Sequence, residues 1–377
     1  MKLLRPSLLE SPNGSVDRVL LLAVVALALF GDLMIYSATK VALINAGYDP
    51  QYYLKKQTIW VVVGLVLMFA VSRIDYRRFE MVATPGYIAS ILALCAVGLF
   101  GSSALGAQRW FDLGFIQFQP SEFAVLAIIF SASAYCARRP EGLAHRDVIR
   151  ILFMTLLPVG VIAIQPDLGT AIIISVTVGV LIIVAGVPPR FMAFLTAVGV
   201  LGAISAIWIG VLQKYQLSRL TSFLNQNSSD PALASAIYHV NNAKNAIGAG
   251  GIKGMGLFNG LQTTLGYVPE QRTDFIFTAI GEQLGLIGSL FFFTLLATMA
   301  YRMFLTAREA KEQFGRLMCV GIFVFFSFSC FQNIGMTMGI MPVTGIPLPL
   351  VSYGGTAALV FFSASGIVLS VSRRRGN

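Results

Sequence analysis

Four charged residues surround one boundary in the sequence, where a long polar segment ends and a hydrophobic stretch begins. Residues 268–285 contain Glu270, Arg272 and Asp274, and Glu282 follows two turns further along. An acid at the start of a helix ordinarily caps it, because a carboxylate satisfies the free N–H groups and suits the helix dipole. The alternative is that Asp274 is an ionisable group at the mouth of a membrane bundle, where such groups are costly and usually functional.

Three further charged candidates come from two separate stretches that each lead into a hydrophobic run. Glu122 follows Pro120, Asp167 lies in a short turn, and Arg109 stands beside Trp110. Each has a structural alternative: Glu122 can cap a helix, Asp167 can close its turn, and Arg109 can anchor the chain at a membrane interface. As a functional residue Arg109 would bind an anion, because the guanidinium fork matches phosphate oxygens.

A fourth stretch adds a cation within a polar segment. Lys244 lies in a pattern that predicts an amphipathic helix, and this helix runs into the glycine-dense residues 248–256. Backbone amides in such a turn can hold phosphate. The glycine spacing fits neither a Walker loop nor a dinucleotide fingerprint, and no predicted strand precedes it. We therefore expect no nucleotide cofactor.

The elements that must position these residues are membrane helices. The chain has 377 residues, of which 56% are hydrophobic and only 12% charged, whereas soluble domains carry about 25% charge. We predict a single all-α polytopic membrane domain over residues 1–377, with a large loop at about 212–274 between the seventh and eighth helices. Runs of about 20 apolar residues, the length that crosses a bilayer, lie near 17–38, 56–73, 82–100, 119–137, 147–165, 169–187, 190–211, 275–301, 316–340 and 352–372.

The distribution of basic residues predicts the orientation of this bundle. About two-thirds of the 27 Lys and Arg residues fall in the connections that share a side with both termini. Cytoplasmic loops carry this excess, so we expect a multi-pass protein with both termini in the cytoplasm. Glu122, Asp167, Asp274 and Glu282 then lie together on the extracytoplasmic side. We also expect no cleaved signal peptide, because the first apolar run continues as a full-length span.

Composition also excludes several kinds of site. The four cysteines fall in or beside apolar stretches, which predicts packing residues and not a disulfide framework or a metal site. The chain has only two histidines, so a histidine metal centre is implausible. The net charge of +10 is a topology signal in a membrane protein, and no separate basic domain or tail is present to bind nucleic acid.

One stretch near the C-terminus cannot form a straight helix. Residues 333–355 contain Pro342, Pro347 and Pro349 with glycines between them. Irregular backbone at membrane depth is tolerated only where it is buried or lines a cavity, so we expect this stretch to wall a groove. Asp32, in the middle of the first run, is a solitary membrane acid without an evident partner, and its role stays open.

Six motifs occur in order along the chain: GAQRWFDLG at 106–114, FQPSE at 118–122, QPDLGT at 165–170, AIGAGG at 246–251, PEQRTDFIF at 269–277 and PVTGIPLPLVSYGG at 342–355. Together they resemble the SEDS family of integral membrane proteins (shape, elongation, division and sporulation) over nearly the whole chain. The text around residues 261–275 resembles the elongation branch more than the division branch, which stays the alternative.

The resemblance implies a peptidoglycan glycosyltransferase that polymerises lipid II at the outer face of the bacterial inner (cytoplasmic) membrane. It also implies a class B penicillin-binding protein as the crosslinking partner. The family's essential aspartate corresponds to Asp274 and its supporting acid to Glu122. We name as candidate substrate-binding residues Arg109, Lys244, Arg272, Asp167, Glu282 and Ser352. Val125 stands where many members carry lysine.

The expected reaction joins the 4-hydroxyl of one sugar to the anomeric carbon of another, with inversion, while undecaprenyl pyrophosphate leaves. Asp274 would act as general base. Arg109, Lys244 or a divalent cation such as Mg²⁺ or Mn²⁺, whose ligands stay unassigned, would neutralise the pyrophosphate. Two other classes stay open: a lipid flippase would use the same charges as a pathway through the bundle, and a scaffold would not need their chemistry.

Overall fold

The protein is a bundle of apolar helices capped at one end by polar segments. The structure, a computed structural model, describes residues 16–104, 107–112, 114, 117–208, 214–226 and 233–374. Its helices are α1 (Arg18–Asn45), α2 (Tyr52–Arg73), α3 (Arg77–Phe100), α4 (Pro120–Ala137), α5 (His145–Ile164), α6 (Leu168–Val184), α7 (Pro189–Trp208), α8 (Lys214–Leu224), α9 (Ala234–Gly250), α10 (Leu261–Thr264), α11 (Ile276–Glu309), α12 (Gln313–Thr337) and α13 (Gly355–Arg373).

The predicted polytopic helical fold is confirmed. Eight of the described helices are long and apolar enough to cross a membrane, and shorter apolar helices at Leu168–Val184 and Arg190–Gly199 fall on the sixth and seventh predicted runs. The observed helices extend a few residues beyond several predicted runs, most clearly α11, which continues to Glu309. Hydrophobicity marks the apolar part of a span, whereas the helix itself continues into polar residues.

The segment before α4 forms strands instead of a helix. It contains a small antiparallel sheet of three strands in the order β1 (Ser102–Ala104), β2 (Ala107–Asp112) and β3 (Gln117–Phe118). In β2 and β3, Phe111 pairs with Phe118, as expected for aromatic residues in strands. The hydroxyl of Thr356 in α13 donates to the carbonyl of Gln117 at 2.7 Å, so the sheet is attached to the bundle.

The described part of the predicted 212–274 loop is largely helical. The amphipathic helix predicted through Lys244 is α9. The glycine-dense turn after α9 packs directly on the backbone of α11. A Cβ atom at Gly250 would lie 2.0 Å from the carbonyl oxygen of Gly281, and one at Gly254 would lie 2.2 Å from that of Gln283. Only glycine permits this approach, so these glycines join α9 to α11 without the need for a bound phosphate.

The predicted break near the C-terminus is confirmed. Helix α12 ends at Thr337, and residues 338–354 run without a regular helix to the start of α13. The side-chain amide of Asn333 donates to the carbonyl of Ile346 at 2.8 Å, and that of Gln332 donates to the carbonyl of Pro342 at 3.0 Å. Buried amides of α12 thus satisfy part of the irregular backbone, as burial at membrane depth requires.

Aromatic packing fixes the centre of the bundle below this segment. Phe325 of α12 stacks on Phe361 of α13, with ring centroids 4.6 Å apart. Stacked pairs of this kind contribute about 0.5–1.5 kcal/mol beyond their buried area. All four cysteines have free thiols, and Cys136, Cys319 and Cys330 are buried, as predicted for packing residues.

Candidate active site

Asp274 is held at the junction of three segments. Its backbone N–H donates to the carbonyl of Glu270 at 3.1 Å, and its carbonyl accepts from the side-chain amide of Asn333 at 2.8 Å. Its carboxylate lies against Gly345 of the irregular segment, where an added Cβ atom would be 3.2 Å from Oδ2. The side chain is partly buried and stands before the first residue of α11.

Ser352 fixes the backbone beside Asp274. Its hydroxyl donates to the carbonyl of Thr273 and accepts from the N–H of Leu348 at 2.9 Å. The N–H of Tyr353 donates to the carbonyl of Arg272 at 2.9 Å. The 270–274 turn and residues 348–353 are therefore joined by several hydrogen bonds. Ser352 is buried, so its contacts position Asp274 and do not face a ligand.

The surroundings of Asp274 make it a stronger base than an ordinary aspartate. Burial and, to a smaller extent, the nearby Glu270 raise its pKa to about 6, while Arg219 and Arg109 act in the opposite direction. Burial disfavours the ionised form of a carboxyl group, and a neighbouring carboxylate adds repulsion. A carboxylate with such a pKa is ionised at neutral pH and can accept a proton from a bound hydroxyl group.

Arg109 is anchored to the turn that precedes α6. Its Nε donates to the carbonyl of Gln165 at 2.8 Å, and a second guanidinium nitrogen donates to the carbonyl of Pro166. The guanidinium carbon lies 6.0 Å from the ring centroid of Trp110. A guanidinium group has five N–H donors, so these bonds leave further donors that can bind an anion.

A cavity beside Asp274 is polar on one wall and apolar in its depth. Arg109, Glu122 and Asp167 line the polar wall, and Gly345 joins the cavity to the Asp274 carboxylate. The deeper wall is made by Val125, Ile173, Phe325, Val360 and Phe361. The Oε2 atom of Glu122 is buried and has no hydrogen-bond partner among the described residues. A buried polar atom without a partner is unusual and marks a place where a ligand group can bind.

Asp167 both caps a helix and faces the cavity. One carboxylate oxygen accepts from the N–H of Thr170 at 3.2 Å and so caps α6. The other accepts from the hydroxyl of Ser121 at 3.1 Å and from the side-chain amide of Gln119 at 3.2 Å. The turn-closing alternative considered for Asp167 is therefore realised, and its bonds also hold the start of α4, where Glu122 lies.

Comparison with known proteins shows the family to which this chain belongs. The sequence model for FtsW, RodA and SpoVE, described as "Cell cycle protein", matches residues 17–377. The chain belongs to this family. It is 36% identical to peptidoglycan glycosyltransferase MrdB of Escherichia coli strain K12, over 96% of this chain and 94% of that protein. It is 34% identical to the probable peptidoglycan glycosyltransferase FtsW of Trichlorobacter lovleyi, over 94% and 93% of the two chains.

Solved structures agree with this family assignment. A chain from a peptidoglycan synthase complex, described as coordinating polymerization and crosslinking, superposes with a TM-score of 0.79 at 28% identity, covering 96% of this chain and 98% of that one. The rod shape determining protein RodA of Thermus thermophilus superposes with a TM-score of 0.71 at 28% identity, with the same coverage. The predicted SEDS membership is confirmed.

Two predicted substrate-binding residues of this SEDS protein lie to the side of the cavity. Lys244 donates to the side-chain oxygen of Gln226 and lies against Gly339. Arg272 lies 4.6 Å over the ring of Tyr53, and its guanidinium group is 3.8 Å from the Glu270 carboxylate. Arg272 therefore belongs to the edge of the Asp274 turn, whereas Lys244 contacts residues just beyond the C-terminal ends of α8 and α12.

Glu282, which we predicted to bind substrate, lies away from the cavity and forms hydrogen bonds within the protein. It is fully buried. One carboxylate oxygen accepts from the N–H of Gln262 at 2.6 Å, and the other accepts from the N–H and the hydroxyl of Thr263 at 3.0 and 2.6 Å. Both oxygens are thus occupied by the first turn of α10. The carboxylate joins α11 to α10 and does not line the cavity.

Two residues of the SEDS site, Arg219 and Asn333, were not predicted from the sequence. Arg219 lies close enough to Asp274 to lower its pKa, and Asn333 binds the Asp274 carbonyl. Arg219 looked like one of many basic residues in a polar segment. Asn333 did carry a signal, since an amide at the end of an apolar run must find partners at membrane depth.

Within the described ranges, no group of three or more His, Cys, Asp or Glu side chains is arranged to hold a metal ion. A metal cage built from protein alone is therefore not formed there. Mg²⁺ commonly binds through one or two carboxylates together with substrate phosphates. Glu122, with its unpartnered oxygen, fits that more limited role.

Proposed function

We propose that this chain polymerises lipid II into glycan strands for cell elongation, with Asp274 as the general base. The chain is a peptidoglycan glycosyltransferase by its family and by the names of relatives that match it over nearly their full length. The similarity to MrdB and to RodA supports the elongation branch. One observation carries the assignment of the site: a partly buried carboxylate of raised pKa lies against Gly345, which lines a cavity that also contains an anchored arginine.

Formation of the glycosidic bond is coupled to loss of the acceptor's proton. The 4-hydroxyl of the acceptor sugar gives its proton to the Asp274 carboxylate while its oxygen forms a bond to the anomeric carbon of the donor. The bond from that carbon to the pyrophosphate oxygen breaks, and undecaprenyl pyrophosphate leaves with the electron pair. Direct displacement inverts the anomeric configuration. A positioned base of this kind accelerates the reaction by about 10²–10⁴-fold.

The leaving pyrophosphate requires positive charge. Arg109 is held by two backbone carbonyls and lines the cavity, so its remaining N–H groups can bind phosphate oxygens. Mg²⁺ or Mn²⁺, if bound by Glu122 together with the substrate, would add further neutralisation. The apolar depth of the cavity around Phe325 and Val125 suits a lipid-linked substrate.

Glu122 would orient the acceptor sugar. Its Oε2 is the buried oxygen without a partner, and it lines the same cavity as Arg109. A sugar hydroxyl placed there would satisfy it, and this bond would hold the acceptor while Asp274 removes the proton. Where many relatives carry a lysine, Val125 contributes an apolar wall.

The site would face the outside of the bacterial inner membrane, with both termini in the cytoplasm. The excess of basic residues in the connections on the opposite side supports this orientation. A class B penicillin-binding protein would crosslink the strands. The structural similarity to a chain of a complex described as coordinating polymerization and crosslinking supports such a partner.

Purified protein in liposomes, with its partner, tests the activity. Fluorescent lipid II is supplied on the outside, and glycan chains are separated by gel electrophoresis while transbilayer movement is followed by quenching. We expect a ladder of chains whose formation needs Asp274. Movement of lipid II across the bilayer without ladders would instead assign a flippase. If a folded complex produces no glycan chains and does not move lipid II across the bilayer, the protein is a scaffold.

A further inference from the structure

Helix α8 brings Arg219, which lies outside the six family motifs, to the catalytic carboxylate. The Nη1 of Arg219 donates to the carbonyl of Val343 at 3.1 Å. The same nitrogen lies 3.9 Å from the position that a Cβ atom of Gly345 would occupy, and Oδ2 of Asp274 lies 3.2 Å from that position. The guanidinium group and the carboxylate therefore border the same point, and the absence of a side chain at residue 345 leaves the space between them open.

Arg219 is held in place by the docking of its helix. Beyond the C-terminus of α8, the side-chain amide of Gln226 donates to the carbonyl of Gly339 at 2.8 Å, and Lys244 of α9 donates to Gln226. Helix α8 is thus attached to residues 339–343, the first part of the irregular segment, from its middle through Arg219 and from beyond its C-terminus through Gln226. The arginine has a defined position, unlike a solvated side chain with free rotamers.

We propose that Arg219 is a positioning residue that holds the Asp274 carboxylate ionised and oriented for proton abstraction. The inference rests on the proposed role of Asp274 as base. A purely structural role, in which Arg219 only anchors α8 through the Val343 carbonyl, is the competing explanation. The two differ in whether the charge of the guanidinium group acts on Asp274.

Four charged or titratable groups define the electrostatics here. Glu270 of the same turn faces Asp274, as do Arg219 from α8 and Arg109 from β2. His239 of α9 stacks on Phe275, the residue after Asp274, and interacts with both Arg219 and Glu270. Arg219 exerts the larger of the two arginine effects on Asp274. Removing its charge leaves burial and Glu270 opposed only by the hydrogen bond with Thr273 and by Arg109, so the carboxyl group should hold its proton to higher pH.

The pH dependence of lipid II polymerisation separates the two explanations. We compare the wild-type complex with Arg219→Gln and Arg219→Lys, and use Lys253→Gln, an exposed charge of the same polar segment, as the matched control. In Arg219→Gln the acid limb of kcat/KM should move up by about one pH unit, which gives about a five-fold loss at pH 6 and less than about a two-fold loss at pH 8.5. Arg219→Lys and Lys253→Gln should keep the limb within about 0.3 units of the wild type.

Two results would overturn the proposal in favour of a structural anchor. One is an acid limb of kcat/KM in folded Arg219→Gln that is unchanged from the wild type, and the other is a loss of kcat/KM that is equal at every pH. If the glutamine variant is not recovered as a folded complex, Arg219→Met carries the same test, because methionine is a good helix former and has a similar unbranched stem. Asp274→Asn is measured in parallel. If it polymerises lipid II normally, the proposed base itself fails; if it is inactive while Arg219→Gln shows no shift, only the role of Arg219 fails.

Discussion

The carboxyl group of Asp274 owes its chemistry to its surroundings. Burial raises its pKa to about 6, the neighbouring Glu270 adds to this shift, and Arg219 and Arg109 limit it. A carboxylate in this range is mostly ionised at neutral pH and binds a proton more strongly than an exposed aspartate. A pKa near 6 suits a catalytic carboxylate. A higher pKa makes the group a stronger base, but it also lowers the fraction that is ionised at the working pH.

The activity should therefore fall as the pH drops through about 6. The base must be ionised, and below its pKa the ionised fraction declines tenfold for each pH unit. We expect kcat/KM for lipid II to be nearly constant from pH 7 to 8 and to decline with unit slope below about pH 6. A profile of initial rates between pH 4.5 and 8.5 measures this. An acid limb near pH 4, the range of an exposed aspartate, would contradict it.

Substitution of Glu122 should reduce activity, whereas substitution of Glu282 should reduce stability. Glu122→Gln keeps the shape of the side chain but changes the oxygen that lacks a partner. It should lower polymerisation at least about tenfold and leave the melting temperature within about 2 °C. Glu282→Gln weakens three hydrogen bonds to α10 and should destabilise the protein by about 1–3 kcal/mol.

Rate assays and thermal unfolding in detergent, run on both glutamate variants, check this contrast. Limited proteolysis adds a local readout, since release of α10 should expose residues 251–270. If Glu122→Gln unfolds as easily as Glu282→Gln while its folded fraction is fully active, Glu122 has a structural role only.

The site residues that stand out chemically could be predicted from the sequence, whereas those that depend on tertiary contact could not. Asp274, Glu122 and Arg109 are charged residues at the ends of apolar runs, so their cost in a membrane marks them. Arg219 lies in a polar segment where arginine is ordinary, and only the docking of α8 on residues 339–343 brings it to Asp274. The contact of Glu282 with α10 could not be predicted, because this four-residue helix has no sequence signal of its own.

At the scale of elements, the irregular segment 338–354 is what builds the site. It supplies Gly345 beside the Asp274 carboxylate, the Val343 carbonyl that binds Arg219, and Ser352, which holds the Thr273 backbone. Prolines prevent the segment from forming a helix, and the amides of Gln332 and Asn333 satisfy its carbonyls.

A methyl group at residue 345 should harm catalysis more than folding. Gly345 has φ of +74°, and an added Cβ would lie 3.2 Å from Oδ2 of Asp274. Gly47 has the same φ with no atom within 4 Å of an added Cβ, so Gly47→Ala matches the backbone strain without the crowding. We expect Gly345→Ala to lose at least about tenfold in kcat and Gly47→Ala to stay within about two-fold. Equal rates in the two folded variants would contradict the crowding argument.

The helices were predictable and the small sheet was not. Long apolar runs identify spans because every backbone group in a bilayer must be satisfied within the segment, and the observed helices fall on the predicted runs. Strands of two to six residues in a glycine-rich stretch give little periodicity to detect. Their pairing depends on contacts such as that of Thr356 with Gln117.

At the scale of the whole molecule, the bundle gathers its unusual polar residues at one end. The turn before α6, the Asp274 turn and the irregular segment meet there through Arg109, Gly345 and Ser352. The interior below is closely packed and apolar, as the stacked Phe325 and Phe361 show. Because the polar end and the apolar interior are adjacent, a lipid-linked substrate can keep its lipid chain in an apolar environment while its sugars reach charged groups.

Cysteine labelling tests the side on which this end lies. Lys253→Cys replaces an exposed residue of the polar segment after α9, and Lys311→Cys replaces an exposed residue between α11 and α12 at the opposite end. A membrane-impermeant maleimide should label residue 253 in intact spheroplasts and residue 311 only after permeabilisation. The unsubstituted chain measures background from exposed Cys95. The reverse labelling pattern would contradict an extracytoplasmic site.

The most direct test of the account is the rate of lipid II polymerisation by Asp274→Asn in its complex with the partner. Asparagine preserves the size of the side chain and the backbone bonds to Glu270 and Asn333, but it cannot accept the proton. We expect a folded complex of normal partner affinity whose polymerisation rate is lower by at least about 10²-fold at pH 7.5. A rate near that of the wild type would contradict the assignment of Asp274 as the catalytic base.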